Sequence, residues 1–315
     1  MKKTLFAILA LAAIVACNKA DVIDSNPGEA ILFGNAFVDN ATKAATDPSY
    51  NSTNLTAFNV YGAVEGVNIF AGAKVSKGEA AYGVAWTVSD APTQYWIAGA
   101  NYIFDAVVDA TSVVKDDATG LPTTLKYDAA GQKDMLHQRV TTVGKPTENN
   151  GLVAFTFTHL LSKVKFTVTN NTDANATQYQ YTVTGITLTN ANLTGNYAYA
   201  NDAWGWTNHA KGPYSIADMT IASDSKVECA KEVLLVPSVD ANDKVGISFN
   251  VNVQMKKGSD WVTVKTYEKS YNNVMALDAN KAYNFSLTVG LDDDIEFTAM
   301  PVKSWTTVGD TTLDY

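Results

Sequence analysis

Apolar and polar residues alternate along this chain in short blocks. Val153–His159 reads VAFTFTH and sets Val153, Phe155 and Phe157 on one face. Val245–Val253 (VGISFNVNV) and Ala282–Val289 (AYNFSLTV) alternate in the same way, as does Lys163–Val168. A period of two is that of a β-strand with one buried and one wet face. Ile31–Val38, Ala57–Val64 and Asn101–Val108 are less regular but rich in Val, Ile, Phe and Tyr, and they also read as strands. Gly, Asn, Asp, Ser and Thr interrupt the pattern every 8–12 residues or so, the rhythm of an all-β sandwich. Helical periodicity is sparse, and Ala129–Arg139 is the best candidate for a short helix. No convincing repeat is present, which argues against a solenoid or propeller.

The N-terminus follows a different pattern. Lys2 and Lys3 precede an apolar run, Leu5–Val15, too short to span a bilayer as a helix. The run ends Ile14-Val15-Ala16-Cys17, which resembles a bacterial lipobox. The expectation is a signal peptide over 1–16, acylation (palmitate or a similar chain) at Cys17, and a polar lipidated tether over 17–30. More than one acyl chain anchors stably where a single one is marginal. The alternative is an ordinary signal peptide with a chance cysteine.

Length and composition narrow the classes. At 315 residues the prior is about two domains. A hydrophobic content of 46% against 17% charged residues allows a large core. The net charge of -9 gives no general attraction to phosphate backbones, so nucleic acid is a poor partner. Loss of Lys2 and Lys3 with the signal peptide makes the mature chain more acidic still. Cys229 is then the only thiol, which excludes an internal disulfide and reads as a small core residue. The polar stretch Gly144–Gly151, with Pro146, suggests a division into domains 31–150 and 151–315.

Several segments in order resemble the fimbrillin superfamily, the lipoprotein pilins of type V fimbriae. They are the lipobox at Cys17, the strand Ile31–Val38 followed by Ala41-Thr42-Lys43-Ala44, Gln94-Tyr95-Trp96, and Tyr102–Ala106. Then come Gln132–Leu136, Phe157–Val164, Leu234-Leu235-Val236-Pro237, Asn280–Phe285, Ile295-Glu296-Phe297 and Trp305. The resemblance implies two tandem transthyretin-like β-sandwich domains (Ig-like, Greek-key) behind a lipoprotein signal peptide. It also implies removal of an N-terminal strand by a protease and filling of the vacated groove by the C-terminal segment of another subunit. Such strand addition takes affinity from main-chain bonds and register from side-chain pockets. A head-to-tail contact of this kind does not close, so it builds a filament.

On that resemblance the removable strand is Ile31–Val38, with Ile31, Phe33 and Phe37 as its large apolar residues. Processing falls at Lys43-Ala44, where the family often has Arg; the other reading of Lys43 is a solvated loop lysine. The donor strand lies within 295–315, on Ile295, Phe297, Trp305, Val308 and Leu313. Pro301 and Gly309 weaken it, and an ordinary strand with a frayed end is the alternative.

Other clusters have plainer readings. Asp292-Asp293-Asp294 lacks the alternating ligands of a calcium loop and reads as a solvated turn. The three histidines, His137, His159 and His209, are far apart; His159 shares a face with Phe155 and Phe157 and reads as packed and hydrogen-bonded. Trp204 and Trp206, in NYAYANDAWGWTNH, read either as a glycan platform or as a hairpin packing its rings on the protein. No phosphate loop, zinc-spaced histidine pair or nucleophile elbow is present. The expectation is a non-enzymatic protein without cofactor or metal, and the resemblance implies a cell-surface fimbrial subunit, lipid-anchored to the outer membrane as a precursor. Its partners are other fimbrial subunits and a host protein or glycan. The alternative is a surface adhesin or carbohydrate-binding lipoprotein that does not polymerise.

Overall fold

The computed structural model describes residues 28–38, 49–52, 54–78, 85–170, 178–222, 226–228, 232–290 and 295–302. The strands, in chain order, are β1 (Phe33–Val38), β2 (Ala57–Val64), β3 (Val67–Lys77), β4 (Ala85–Val88), β5 (Asn101–Val108), β6 (Ser112–Lys115), β7 (Pro122–Asp128) and β8 (Leu136–Val143). They continue as β9 (Val153–His159), β10 (Ser162–Asn170), β11 (Tyr179–Ala200), β12 (Ala203–Ser215), β13 (Met219–Ala222), β14 (Lys226–Glu228) and β15 (Val233–Leu235). The last four are β16 (Val245–Lys257), β17 (Asp260–Met275), β18 (Lys281–Val289) and β19 (Glu296–Val302).

These segments form strands because β-branched and aromatic residues fit a pleated, half-buried surface. Tight turns join several of them. Glu65-Gly66 and Asn201-Asp202 both hold positive φ at both positions, the geometry of a two-residue hairpin matched to strand twist. The helix expected over Ala129–Arg139 is absent. Only Ala129–Gly131 forms a single 3-10 turn, and Leu136 onward is β8. Leu136 and His137 are buried and pair with β9, so sheet pairing overrides the local helical pattern.

The chain is all-β. The first sheet closes on itself in the order β1-β4-β3-β2-β5-β8-β9. Two further sheets, β14-β10-β18-β19 with β15 and β17-β16-β11-β7-β6 with β12 and β13, face each other as a sandwich. Strand pairing crosses the expected 150/151 division in both directions. β9, beyond it, closes the barrel against β1 and β8, while β6 and β7, before it, join the sheet of β11. The polar 144–151 stretch thus links two strands of one barrel: polarity marks a surface connection, and pairing decides sheet membership.

Two apolar cores result. Phe33, Phe58, Phe70, Phe104, Phe155 and Phe157 fill the barrel. Phe166, Tyr181, Ile186, Leu188, Phe249 and Phe285 lie in the sandwich. Each core depends on a parallel pairing between an early and a late strand, β1 with β9 and β10 with β18. Such pairings are non-local and form slowly relative to hairpins.

One carboxylate ties the sandwich loops together. Asp243 accepts from Asn192 Nδ2 and from the Val239 amide, both at 2.9 Å, and pairs with Lys211. Burial alone would raise its pKa, but the Lys211 and Asn192 hydrogen bonds, the Val239 amide and the Lys211 charge outweigh that and hold it below the usual carboxylate range. A depressed folded pKa gives stability that is present above the unfolded value of about 4 and is lost as pH falls through the folded one. Asp243→Asn should therefore flatten the acid limb of a stability-against-pH curve below about pH 4. Denaturant unfolding at several pH values checks this, and an unchanged slope would refute it.

Candidate functional site

The element that stands apart chemically is β1. It runs parallel to β9, pairing Phe33 with Val153 and Val38 with Phe157, and antiparallel to β4, pairing Phe33 with Trp86. The Ile31 amide donates to Gln94 O at 2.8 Å, and the Val153 amide to Leu32 O at 2.9 Å. Phe33 is fully buried, its ring centre 5.6–6.5 Å from those of Phe58, Phe70, Phe104 and Phe155.

Strict alternation from Ile31 and Phe33 would send Phe37 inward as well. A bulge between Gly34 and Phe37 changes the parity. Ala36 and Val38 turn into the core, and Phe37 is 52% exposed. Phe37 is thus not one of the side chains that fill the barrel. The bulge has no signature in the residue pattern.

β9 relies on β1. It meets β8 only at Leu136↔His159 and His137↔Thr158. Beyond these the two strands part, leaving a cleft of about 280 Å³ lined by Val140, Thr142, Leu152 and Ala154. Taking β1 away would leave β9 with little ladder on either side and would open an aromatic groove between β4 and β9.

A hook follows this strand in sequence. Tyr50 donates its amide to Asp134 Oδ2 and its hydroxyl to Asp109 Oδ2, both at 2.7 Å. Burial, then the hydrogen bond to Asp109, push the Tyr50 phenol well above its ordinary value, so it remains a donor. Asp134 is buried with His159, whose Nδ1 lies 2.8 Å from Oδ2. The Val38 amide donates to Ser52 Oγ at 3.0 Å. Tyr50 is therefore tied to Asp109 and Asp134 independently of the β1–β9 ladder. Lys43 and Ala44, between β1 and this hook, lie outside the described residues, as do Cys17, Cys229 and Asp292–Asp294.

Trp204 and Trp206 sit on the β11–β12 hairpin, which reaches from the sandwich to the barrel. Trp204 stacks on Tyr197, with ring centres 5.3 Å apart, and lies 4.5 Å from the His137 ring. Trp206 donates Nε1–H to Leu160 O at 3.0 Å and covers Gly195. Both are half-buried and packed on the sandwich core, as in the hairpin reading. Trp206→Ala should lower stability by about 2 kcal/mol, less than the 3–5 kcal/mol of a fully buried aromatic. Denaturant titration measures this, and a loss below about 0.5 kcal/mol would count against the packing role.

Beside Trp204 is a cluster that the residue pattern did not single out. Asp105 is fully buried on β5 and is held by Arg139 through Nε–Oδ1 at 2.9 Å and Nη2–Oδ2 at 2.7 Å, with His137 Nε2 at 2.8 Å from Oδ1. The guanidinium lies 4.0 Å over the Tyr199 ring and 5.4 Å from that of Trp204. Burial lowers the Arg139 pKa, but the hydrogen bond and charge of Asp105 prevail and raise it overall. One signal was available: Arg139 is the only arginine in a chain otherwise supplied with lysines. A planar fork is the group that binds a carboxylate bidentately while stacking on a ring.

At the C-terminal end, β19 is the outer strand of its sheet. Ile295, Phe297 and Ala299 are half-buried against the sandwich core, and Phe297 stacks on Tyr271 at 4.6 Å. Trp305, Val308 and Leu313 lie outside the described residues. Among the described residues no group of three or more His, Cys, Asp or Glu is placed to hold a metal ion.

Comparison with known proteins adds to this geometry. A fimbrial protein from Bacteroides vulgatus ATCC 8482 shares the fold at a TM-score of 0.54 and 13% identity, over 87% of this chain and 99% of that one. A protein assigned to cell adhesion from Bacteroides uniformis ATCC 8492 has a TM-score of 0.53 at 14% identity, over 90% and 99%. Another so assigned, from Bacteroides ovatus ATCC 8483, has 0.51 at 12%, over 90% and 99%. At such identities the likeness establishes the fold. No curated protein sequence matches significantly. A family model described as fimbrillin-like matches residues 42–305, most of the chain, and on that match the chain belongs to the fimbrillin-like family.

Proposed function

We propose that this protein is a structural subunit of a cell-surface fimbrium. In this reading it is exported as a lipoprotein through Cys17, cut near Lys43, and joined to neighbouring subunits by strand exchange at the β1 groove. The observation that carries the reading is the placement of β1. A strand at the N-terminal end of the described fold, joined to the remainder only through residues 39–48, supplies the central ring of the barrel core. The hook at Tyr50 supports it, because it would keep the new N-terminus of a cut chain in place.

The surroundings of Trp204 favour assembly over sugar binding, since Tyr197, His137 and Arg139 lie against its ring. Limited digestion with a lysine-specific protease, followed by N-terminal sequencing and an unboiled denaturing gel, tests the reading. The expected result is an early cut after Lys43 and a denaturant-resistant ladder. A cut product that stays monomeric would favour a tip, anchor or free adhesin. Resistance of Lys43 while other lysines are cut would overturn the processing step. Cys17→Ala should abolish fatty-acid labelling and release the protein from the outer-membrane fraction.

A further inference from the structure

Two features at opposite ends of the molecule take no part in the β1 groove. The first is a cavity of about 190 Å³ where the barrel meets the sandwich. Ala63, Ile103 and Leu121 form its apolar floor, and Glu65, Asn101 and Thr119 stand at its rim. An apolar cavity of about 150 Å³ holds a benzene molecule, so the space suits one aromatic side chain. The rim is acidic. Glu65 Oε1 accepts from the Asn101 amide at 2.7 Å and from Asn101 Nδ2 at 3.0 Å, which fixes the carboxylate beside the opening. Asp116 and Asp117 lie on the loop that carries Thr119. The Thr119 amide and hydroxyl donate to Asp116 Oδ1 at 2.8 and 2.9 Å, and these bonds hold that carboxyl below the usual carboxylate range. Lys115, at the start of the loop, donates to Ala71 O at 3.4 Å.

The second feature is the tip of the β16–β17 hairpin, where Met255–Val264 reads MKKGSDWVTV. Trp261 is 37% exposed, Val262 43% and Val264 51%. Lys256 Nζ lies 6.0 Å from the centre of the Trp261 ring, with Lys257 next in sequence and Asp260 as the acid of the tip. In a chain of net charge -9 this is a basic protrusion bearing an aromatic ring. Strand register sets it far from the cavity. β11 pairs Tyr179 with Met255 and Ala198 with Thr124, so the tip lies beyond one end of β11 and loop 116–121 beyond the other. At roughly 3.3 Å per residue those ends are up to about 60 Å apart, and one molecule does not bring its own tip to its own cavity.

We infer that the β16–β17 tip docks on a second copy of this chain, with Trp261 in the Ala63–Ile103–Leu121 cavity and Lys256 and Lys257 against Glu65 and the Asp116–Asp117 loop. The cavity matches one ring in size, and the two surfaces carry opposite charge. A buried aromatic anchor within a charged rim is the usual make-up of a binding hot spot. The contact joins opposite ends of two copies, so it is heterologous and does not close as a two-fold pair does. It needs neither cleavage nor the departure of β1, and it stands or falls separately from the strand-exchange reading.

The test uses the full uncut chain. Sedimentation velocity over a concentration series should show self-association that weakens as salt is raised. Trp261→Ala should weaken it about thirtyfold, the loss expected for an aromatic anchor. The double variants Lys256→Glu/Lys257→Glu and Glu65→Lys/Asp117→Lys should each be monomeric alone and should associate when mixed, because the mixture again holds a native tip and a native rim. Asp116 is left intact because it organises its own loop. Benzoylphenylalanine in place of Trp261 should give light-induced adducts between copies within residues 63–67 or 101–121. A chain that is monomeric at every concentration, or adducts confined to other segments, would overturn the inference. Loss of association in the tip variants but not in the rim variants would overturn the cavity as the seat of the tip.

Discussion

Phe33→Ala should lower the stability of the uncut protein by about 3–5 kcal/mol, the usual loss for a fully buried aromatic truncated to alanine. The neighbouring rings of Phe58, Phe70, Phe104 and Phe155 converge on this one side chain, and none can fill the vacancy without leaving its own contacts. The loss should be felt beyond the cavity, because β1 supplies most of the ladder of β9. Phe37→Ala is the control. Its side chain is 52% exposed beyond the bulge, so its removal should change stability by no more than about 0.5 kcal/mol. Guanidinium titrations of both variants decide the matter. Equal losses at the two positions would mean that the strand alternates strictly and that the bulge is wrong.

The second large effect is expected at Arg139. Arg139→Ala leaves the fully buried Asp105 with His137 as its remaining ionisable partner and removes the stack on Tyr199. Breaking a buried pair by deleting one partner typically destabilises by about 3–5 kcal/mol. The 17% exposure of the Arg139 side chain favours the lower end of that range. Arg139→Lys should recover only part of the loss, since an ammonium cannot bridge both carboxylate oxygens and stack on a ring together. Both variants can be followed by denaturant unfolding monitored through tryptophan emission, because Trp204 belongs to the cluster. Full rescue by lysine would show that charge alone matters there.

The Asp105–Arg139 cluster also explains how the two cores hold together. Arg139 and His137 belong to the barrel strand β8, while Tyr197, Tyr199 and Trp204 belong to the sandwich hairpin β11–β12. A cation and a ring from the barrel therefore meet three rings from the sandwich. None of the members of this contact lies on β1, β4 or β9.

Much of this architecture was legible in the residue pattern. Val153–His159 alternates because one face meets the aromatic core and the other does not, and it is β9 as read. Ala57–Val64 and Asn101–Val108 coincide with β2 and β5. His159, on the face of Phe155 and Phe157, is buried and bonded to Asp134 as expected. These readings succeed because burial of one face of a strand is written residue by residue, at a fixed spacing of two.

What the pattern did not carry depends on partners distant in sequence. The outward turn of Phe37 comes from a bulge set against β9, some 120 residues away. The absence of a helix at Ala129–Arg139 comes from pairing with β5 and β9, which outweighs a weak local propensity. The placement of β9 in the barrel and of β6–β7 in the sandwich follows from ladders that no local run of residues encodes. The same holds for Arg139, whose role appears only when β5, β8 and the β11–β12 hairpin meet. The sequence by itself determined which segments are strands, which face of each is apolar and which family they belong to. Only the tertiary structure decided which strands pair, where parity breaks and which charges are buried together, because those choices are made by contacts between segments rather than within them.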